Sequence, residues 1–213
     1  MDRRTFARSG FRYYARTNAT VIAGVAIAVA VLTGAMITGD SVRISLRELA
    51  LSRLGKTSHV LTSAQFFRDA LAGEMNAAAP IIALEGVVSK QQDNQRAGGV
   101  QVYGIDERFW ALHGLPNRAI ADREVLISPG LAQELSAKPD ESMLLRIEKP
   151  SAIPKESLHG RKEDTGKTIR FTVAAILPRA GMGEFSLRPT QGALKAVFIS
   201  LRRLQKDLEQ RGA

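Results

Sequence analysis

The sequence predicts an α+β fold in which one membrane-spanning helix precedes a domain of mixed helices and strands. Two observations carry this prediction. Residues 19–38 contain no charged side chain. As a helix with a rise of about 1.5 Å per residue, they would cover roughly 30 Å, the hydrocarbon thickness of a bilayer. From residue 59 onward, short apolar segments alternate with capped helical patterns, and such a mixture indicates an α+β domain.

The predicted span begins at Ala19 and ends at Thr38. Its strongest apolar side chains together favour insertion by roughly 2 to 5 kcal/mol on an insertion scale. One alternative is a buried helix of a soluble protein. Another is a cleaved signal peptide, whose apolar region is usually about 7 to 15 residues long. Small residues near Gly34 and Ala35 would permit such cleavage, but the length favours a retained span.

Residues 1–18 form a basic flank with a single acidic residue, and we predict a cytoplasmic or interfacial segment that binds membrane lipid. The positive side chains of this flank are Arg3, Arg4, Arg8, Arg12 and Arg16. The positive-inside rule then places the N-terminus in the cytoplasm. The far side of the span is basic too, through Arg43, Arg47, Arg53 and Lys56. No run of Lys and Arg is interleaved with aromatics in an RNA-binding pattern, so nucleic acid is not an expected partner.

Residues 39–57 are expected to continue the membrane helix outward as a stalk. Val42, Leu46 and Leu49 fall on one helical stripe. Gly39 is the only strong breaker near the start, and Gly55 provides a C-terminal stop. The alternative is a separate surface helix that packs on the domain.

Residues 58–213 are expected to form the mixed domain, as two small lobes. The predicted strands are residues 59–62, 81–89, 100–103, 124–127, 143–147, 168–176 and 196–199. Helices are expected over residues 63–75 and after the capping residues Asp106, Ser128 and Ser200. Gly98 and Gly99 are expected at a loop or hairpin tip.

No catalytic, cofactor or metal site is predicted. His59, His113 and His159 have no paired ligand spacing. Residues 160–168 read GRKEDTGKT and end like a phosphate-binding loop. They have one residue too many before Gly-Lys-Thr, and a strand follows where the motif needs a helix. We therefore expect a protein that is not an enzyme. The alternative is an anchored enzyme or sensor with its site in the irregular loops at residues 150–167 or 181–189.

The order of these parts resembles the MacB-like and FtsX-like permeases of ABC transporters. The stretches that carry the resemblance are GDSVRISLRELALSRLGKT, VQVYGIDERFWAL, EVLISPGLAQEL, IRFTVAAIL and VFISLRRLQ. Together they cover nearly the whole chain, and their order and spacing rather than any single motif make the case.

The resemblance implies a periplasmic core domain inserted after the first membrane helix of an inner-membrane permease. It implies two partners, a separate cytoplasmic ABC ATPase subunit and a second permease copy, and it implies that ATP-driven motion is transmitted to the outer domain. Permeases of this kind carry three further spans after that domain. The sequence ends at Ala213 without them, so we expect a permease truncated before its later membrane helices.

Overall fold

The computed structural model of the chain describes residues 9–63, 65–90, 95–148, 166–190, 192–210 and 212. The chain groups into two compact units, Met1–Leu49 and Ala50–Ala213. The first unit consists mostly of one long helix, and the second unit holds all of the described strands.

Helix α1 (Ala15–Leu54) is a single α-helix of 40 residues. It contains no proline, and a single glycine such as Gly39 costs only about 1 kcal/mol inside a helix. At about 1.5 Å per residue the helix is roughly 60 Å long. The prediction that the apolar helix continues into the residues that follow it is therefore confirmed.

The apolar side chains between residues 19 and 38 are exposed on every side of α1. Within the described part of the chain, α1 is the one helix long and apolar enough to cross a membrane, and the protein buries none of its most apolar stretch. A helix that is apolar all round needs an apolar environment. Since the chain itself provides none here, this helix is not a core helix of the described domain.

Six strands, counted over the described residues, close into a barrel. They are β1 (Ile82–Lys90), β2 (Arg96–Ile105), β3 (Glu124–Ile127), β4 (Ser142–Glu148), β5 (Gly166–Ile176) and β6 (Ala196–Ser200). The order around the barrel is β1-β2-β6-β3-β5-β4. The pairs β2/β6 and β3/β5 are parallel, and the other pairs are antiparallel. Six of the seven predicted strands are thus confirmed, one with the predicted ends and five with ends shifted by one or more residues.

Short helices precede, connect and follow the strands. They are α2 (Leu71–Glu74), α3 (Glu107–His113), α4 (Pro129–Glu134), a 3-10 turn (Arg179–Gly181) and α5 (Leu201–Leu208). Asp106 and Ser128 cap α3 and α4 as predicted, each accepting a backbone N–H in the first turn. Ser200 stands at the start of α5, but its side chain makes no capping hydrogen bond.

Two hydrophobic clusters form the interior of the second unit. The larger cluster takes side chains from all six described strands and from α4 and α5. The smaller cluster joins α3 to β2, β3 and β6 and to residues 177–194. The mixed α+β character is confirmed. The expected two lobes take a different form, because residues Ala50–Ala213 group as one unit whose core is divided in two.

Two local predictions are wrong. Residues 59–62 form no strand and are exposed, so their apolar side chains pair with no neighbouring strand. The helix expected over residues 63–75 is reduced to Leu71–Glu74. Ser63 instead accepts a hydrogen bond from the N–H of Gln65 at 3.1 Å, and such local turns compete with a helix start.

Gly98 and Gly99 lie inside β2 rather than at a hairpin tip. Gly86 pairs with Val100 and Val88 pairs with Ala97, so both glycines stand opposite one residue of β1 as a bulge. Gly99 has a φ of +64°, a backbone conformation that favours glycine.

Candidate functional site at the end of the long helix

The last turn of α1 is anchored by a buried arginine. Arg53 is 6% exposed, and its side chain binds Thr190 and Gly192. Its guanidinium donates to the carbonyl and the hydroxyl of Thr190, the latter at 2.9 Å, and to the carbonyl of Gly192 at 2.8 Å. In return, the backbone carbonyl of Arg53 accepts the N–H of Ser186 at 3.3 Å. The end of the helix is therefore tied to residues 186–192 through both side chain and backbone.

A carboxylate balances this buried positive charge. Oε2 of Glu184 lies 4.0 Å from Nε of Arg53, and Oε1 lies 2.9 Å from Nε of Arg179. Glu184 is largely buried, whereas Arg179 is exposed. A buried guanidinium is tolerated when it is paired and hydrogen-bonded, and removing a partner of such a group is strongly destabilising. We call Arg53, Glu184, Thr190 and Gly192 the Arg53 clamp.

Gly55 ends the helix by a turn that requires glycine. Its φ is +59°, and the N–H of Thr57 donates to the carbonyl of Leu54 at 3.1 Å. A Cβ atom on Gly55 would lie 2.7 Å from Nδ1 of His113 and 2.8 Å from Cε of Met182. The predicted helix stop is present, and the missing side chain also lets the domain pack directly against the helix end.

His113 connects this turn to α3. Its Nδ1 accepts the backbone N–H of Lys56 at 3.2 Å. The ring is 7% exposed and packs edge-on against Phe109 and Phe185. Its Nε2 is buried and has no hydrogen-bond partner among the described residues. Burial first, and then the positive charge of Lys56, hold the pKa of His113 below its ordinary value of 6.5.

The aromatic rings beneath His113 lead into the barrel. Phe109 contacts Phe185 edge-on with centroids 5.1 Å apart, and Tyr103 stacks on Phe198 at 5.6 Å. Tyr103 belongs to β2 and Phe198 to β6. Burial raises the pKa of Tyr103 above 10.0. The helix end is thus continuous, through packed rings, with two neighbouring strands of the barrel.

The residues predicted to matter for the membrane lie along α1 and the segment before it. Arg12 and Arg16 are exposed, and Arg3, Arg4 and Arg8 lie outside the described residues. Ala19 and Thr38 both lie within the helix, where Thr38 donates its hydroxyl to the carbonyl of Gly34 at 2.9 Å. Their role as span ends stays a prediction.

The predicted stalk face is exposed at Val42 and Leu46 and half-buried at Leu49. The sequence reasoning missed Arg53 and read it only as flanking charge. A signal was present: Val42, Leu46, Leu49 and Arg53 follow the spacing of one helical stripe. An arginine at the end of an apolar stripe is a candidate for a buried, paired charge.

The phosphate-loop motif finds no support. Residues 160–165, with His159, lie outside the described residues, and Gly166 begins strand β5 rather than a helix. The Lys167 ammonium binds the carbonyl of Asp207 and lies 3.7 Å from its carboxylate. His59 is exposed and pairs with the hydroxyl of Ser58. Over the described residues, no group of three or more metal-ligating side chains comes together.

The second irregular loop, residues 181–189, lies at the helix end. It contributes Met182, Glu184 and Ser186 to the contacts described above. What this arrangement does physically is attach the end of the helix to this loop, through a buried charge and close backbone packing.

The comparisons with known proteins agree with the resemblance seen in the sequence. No curated protein matches the chain. The model of the MacB-like periplasmic core domain matches residues 19–213, a range that includes most of α1 and all the strands of the barrel. The match covers far more than half of the sequence, and it confirms the family predicted from the order of the sequence elements. The chain therefore belongs to the MacB-like periplasmic core domain family.

Proposed function

We propose that this chain is the membrane-anchored periplasmic core part of an ABC transporter permease, and that it transmits motion along α1 to the barrel without catalysing a reaction itself. Family membership supports a membrane component of the ABC transporter permease type. The mechanical role goes further than this, and it rests on how α1 ends.

The observation that carries the proposal is an unbroken helix whose far end is fixed in the domain. α1 runs from Ala15 to Leu54, and Arg53 in its last turn is buried and hydrogen-bonded. A continuous helix is stiff along its axis because each turn is hydrogen-bonded to the next. Displacement of its membrane end would therefore reach the Arg53 clamp, since no loop intervenes to absorb it.

The proposed arrangement has a basic N-terminal flank in the cytoplasm at residues 1–18, a span at residues 19–38, a stalk at residues 39–57 and the core domain at residues 58–213. The positive-inside rule supports this orientation. The driving partner would be a separate cytoplasmic ABC ATPase subunit, with a second copy of the permease completing the assembly in the inner membrane.

The orientation is testable because the chain has no cysteine. Single cysteines at Arg12 and at the exposed Asn117 can be probed with a membrane-impermeant maleimide on intact spheroplasts. We expect Asn117→Cys to react at once and Arg12→Cys to react only after lysis. The reverse pattern would overturn the topology, and a released form that has lost its first 35 residues, and with them the span, would show a cleaved signal peptide.

Transmission is testable by interrupting the helix between span and clamp. Ile44 is an exposed residue of α1. Ile44→Pro removes a backbone hydrogen bond and kinks the helix, whereas Ile44→Ala leaves it continuous. The chain is purified with its ATPase, carrying a spin label at Asn117→Cys. We expect ATP with vanadate to change the spectrum of the label in the wild type and in Ile44→Ala, and not in Ile44→Pro. An unchanged spectrum in the wild type, or the absence of any vanadate-sensitive ATPase from the purified assembly, would contradict the proposal.

A further inference from the structure

We propose that His113 is a protonation-controlled latch on the end of helix α1: its neutral ring holds the turn after the helix, and its protonated ring releases that turn. Only the regulation of transmission by this latch rests on the proposed function. Its geometric part concerns residues 53–56, α3 and residues 182–185, all within the second unit.

The hydrogen bond to Lys56 defines the tautomer. Nδ1 of His113 can accept the N–H of Lys56 only when it carries no proton. The neutral ring must then carry its proton on Nε2, the atom that is buried without a partner in the described part of the chain. Burying an N–H donor without a partner destabilises the latched state. The free-energy difference that keeps the latch closed is therefore small.

Protonation would remove the acceptor and add a buried charge. The charged groups at this end of the helix are the Lys56 ammonium, the Arg53 guanidinium, the Glu184 carboxylate and the exposed Arg179. The Glu184 carboxylate is already shared between the two arginines. Phe109 and Phe185 cover the ring itself and bring no charge. A protonated His113 would thus add a second positive charge beside Lys56.

One feature opposes this effect. His113 is the last residue of α3, and the C-terminal end of a helix favours a positive charge. Burial and Lys56 nevertheless dominate, because the pKa of His113 is lowered overall. The sign for stability follows: the unfolded chain binds the proton more readily, so the latch is fully stable above pH 6.5 and is lost as the pH falls from there through the lowered pKa.

A bound proton would therefore separate the helix end from α3 in acidic surroundings, while the Arg53 clamp stays in place. Transmission along α1 would then be weaker at low external pH.

The first test reads the tautomer and titration of His113 directly. The full chain in lipid nanodiscs, labelled with ¹⁵N at histidine, is followed by NMR from pH 8 to pH 4.5. We expect a neutral ring protonated on Nε2 at high pH and a titration midpoint below 6.5. A ring protonated on Nδ1, or a midpoint at or above 6.5, would refute the proposal.

The second test measures whether the end of α1 becomes mobile when the pH falls. A spin label at Leu51→Cys, an exposed position of the last turns of α1, reports the mobility of the helix end. We expect its mobility to rise as the pH falls from 7.5 to 5. His113→Asn keeps an acceptor near Lys56 and cannot titrate, so its label should show no pH response. His59→Gln, at an exposed histidine, should retain the full response.

If His113→Asn fails to fold, the wild type and His59→Gln still decide the matter, because a label insensitive to the titration of His113 overturns the latch. None of these measurements needs nucleotide or transport. Their failure therefore leaves the proposed function standing, and loss of the ATPase association would leave the latch standing.

Discussion

Replacing Arg53 by leucine should destabilise the second unit more than any other substitution of an arginine in α1. The side chain makes hydrogen bonds to Thr190 and Gly192 and faces the Glu184 carboxylate. Leucine retains much of the apolar packing but leaves the Thr190 and Gly192 acceptors without their donor and leaves Glu184 paired with Arg179 alone. Removing one partner of a buried charged contact costs about 3–5 kcal/mol.

The expected loss of unfolding free energy corresponds to a measurable shift of the melting temperature. For a domain of about 150 to 250 residues, 1 kcal/mol corresponds to about 2–4 °C, so the melting temperature should fall by about 6–20 °C. The chain has a single tryptophan, and Trp110 is fully buried in the second unit. Its fluorescence during thermal or urea unfolding of the full chain in detergent micelles reports this unit.

Matched variants distinguish loss of the Arg53 clamp contacts from the mere loss of a positive charge on α1. Arg47 lies on α1 and is exposed, so Arg47→Leu should change the unfolding free energy by no more than about 0.5 kcal/mol. Arg53→Lys keeps the charge but not the planar group that reaches several acceptors, and its loss should be intermediate. If Arg53→Leu unfolds within about 0.5 kcal/mol of the wild type, the buried clamp does not hold the helix end and the reasoning fails.

Three further predictions concern the pair Gly55 and Gly39, the buried hydroxyl of Ser128, and the charge of Lys56. Gly55→Ala should lower the unfolding free energy by about 1–3 kcal/mol in urea unfolding, since the new side chain combines a positive φ with a clash. Gly39→Ala, at an open helical site, should instead stabilise α1 by up to about 1 kcal/mol. Helical circular dichroism measures this second effect. Ser128→Ala should cost about 2–3 kcal/mol in urea unfolding, because the buried hydroxyl accepts two backbone N–H groups and donates to a carbonyl. A Ser128→Ala protein as stable as the wild type would contradict this. Lys56→Met should raise the pKa of His113, because a positive charge beside it is removed; histidine NMR detects the change, and an unchanged or lower midpoint would be the opposite result.

The long helix and the strands could be predicted because their signals are local. The uninterrupted apolar run of α1 and the alternation in β5 are each read from neighbouring residues. The caps at Asp106 and Ser128 are similarly local, and both are present.

The parts that could not be predicted depend on distant residues. Arg53 is buried because Thr190 and Gly192 reach it from more than 130 positions away, and no window around Arg53 contains them. Gly98 and Gly99 read as a turn, and only the register against β1 shows that they form a bulge. Residues 59–62 have strand-forming side chains, but no other strand pairs with them. Closure of the barrel is likewise a property of pairings between strands that are far apart in sequence.

Closure of the barrel restricts how other proteins can bind to it. Each of the six described strands has a hydrogen-bonded neighbour on both sides over part of its length, so none of them presents a free edge along its whole length. A sheet without edges cannot be extended by a strand from another protein, which is a common mode of peptide recognition and of aggregation. A strand of another protein, or of a second copy, therefore finds no complete edge among the described strands on which to extend the sheet.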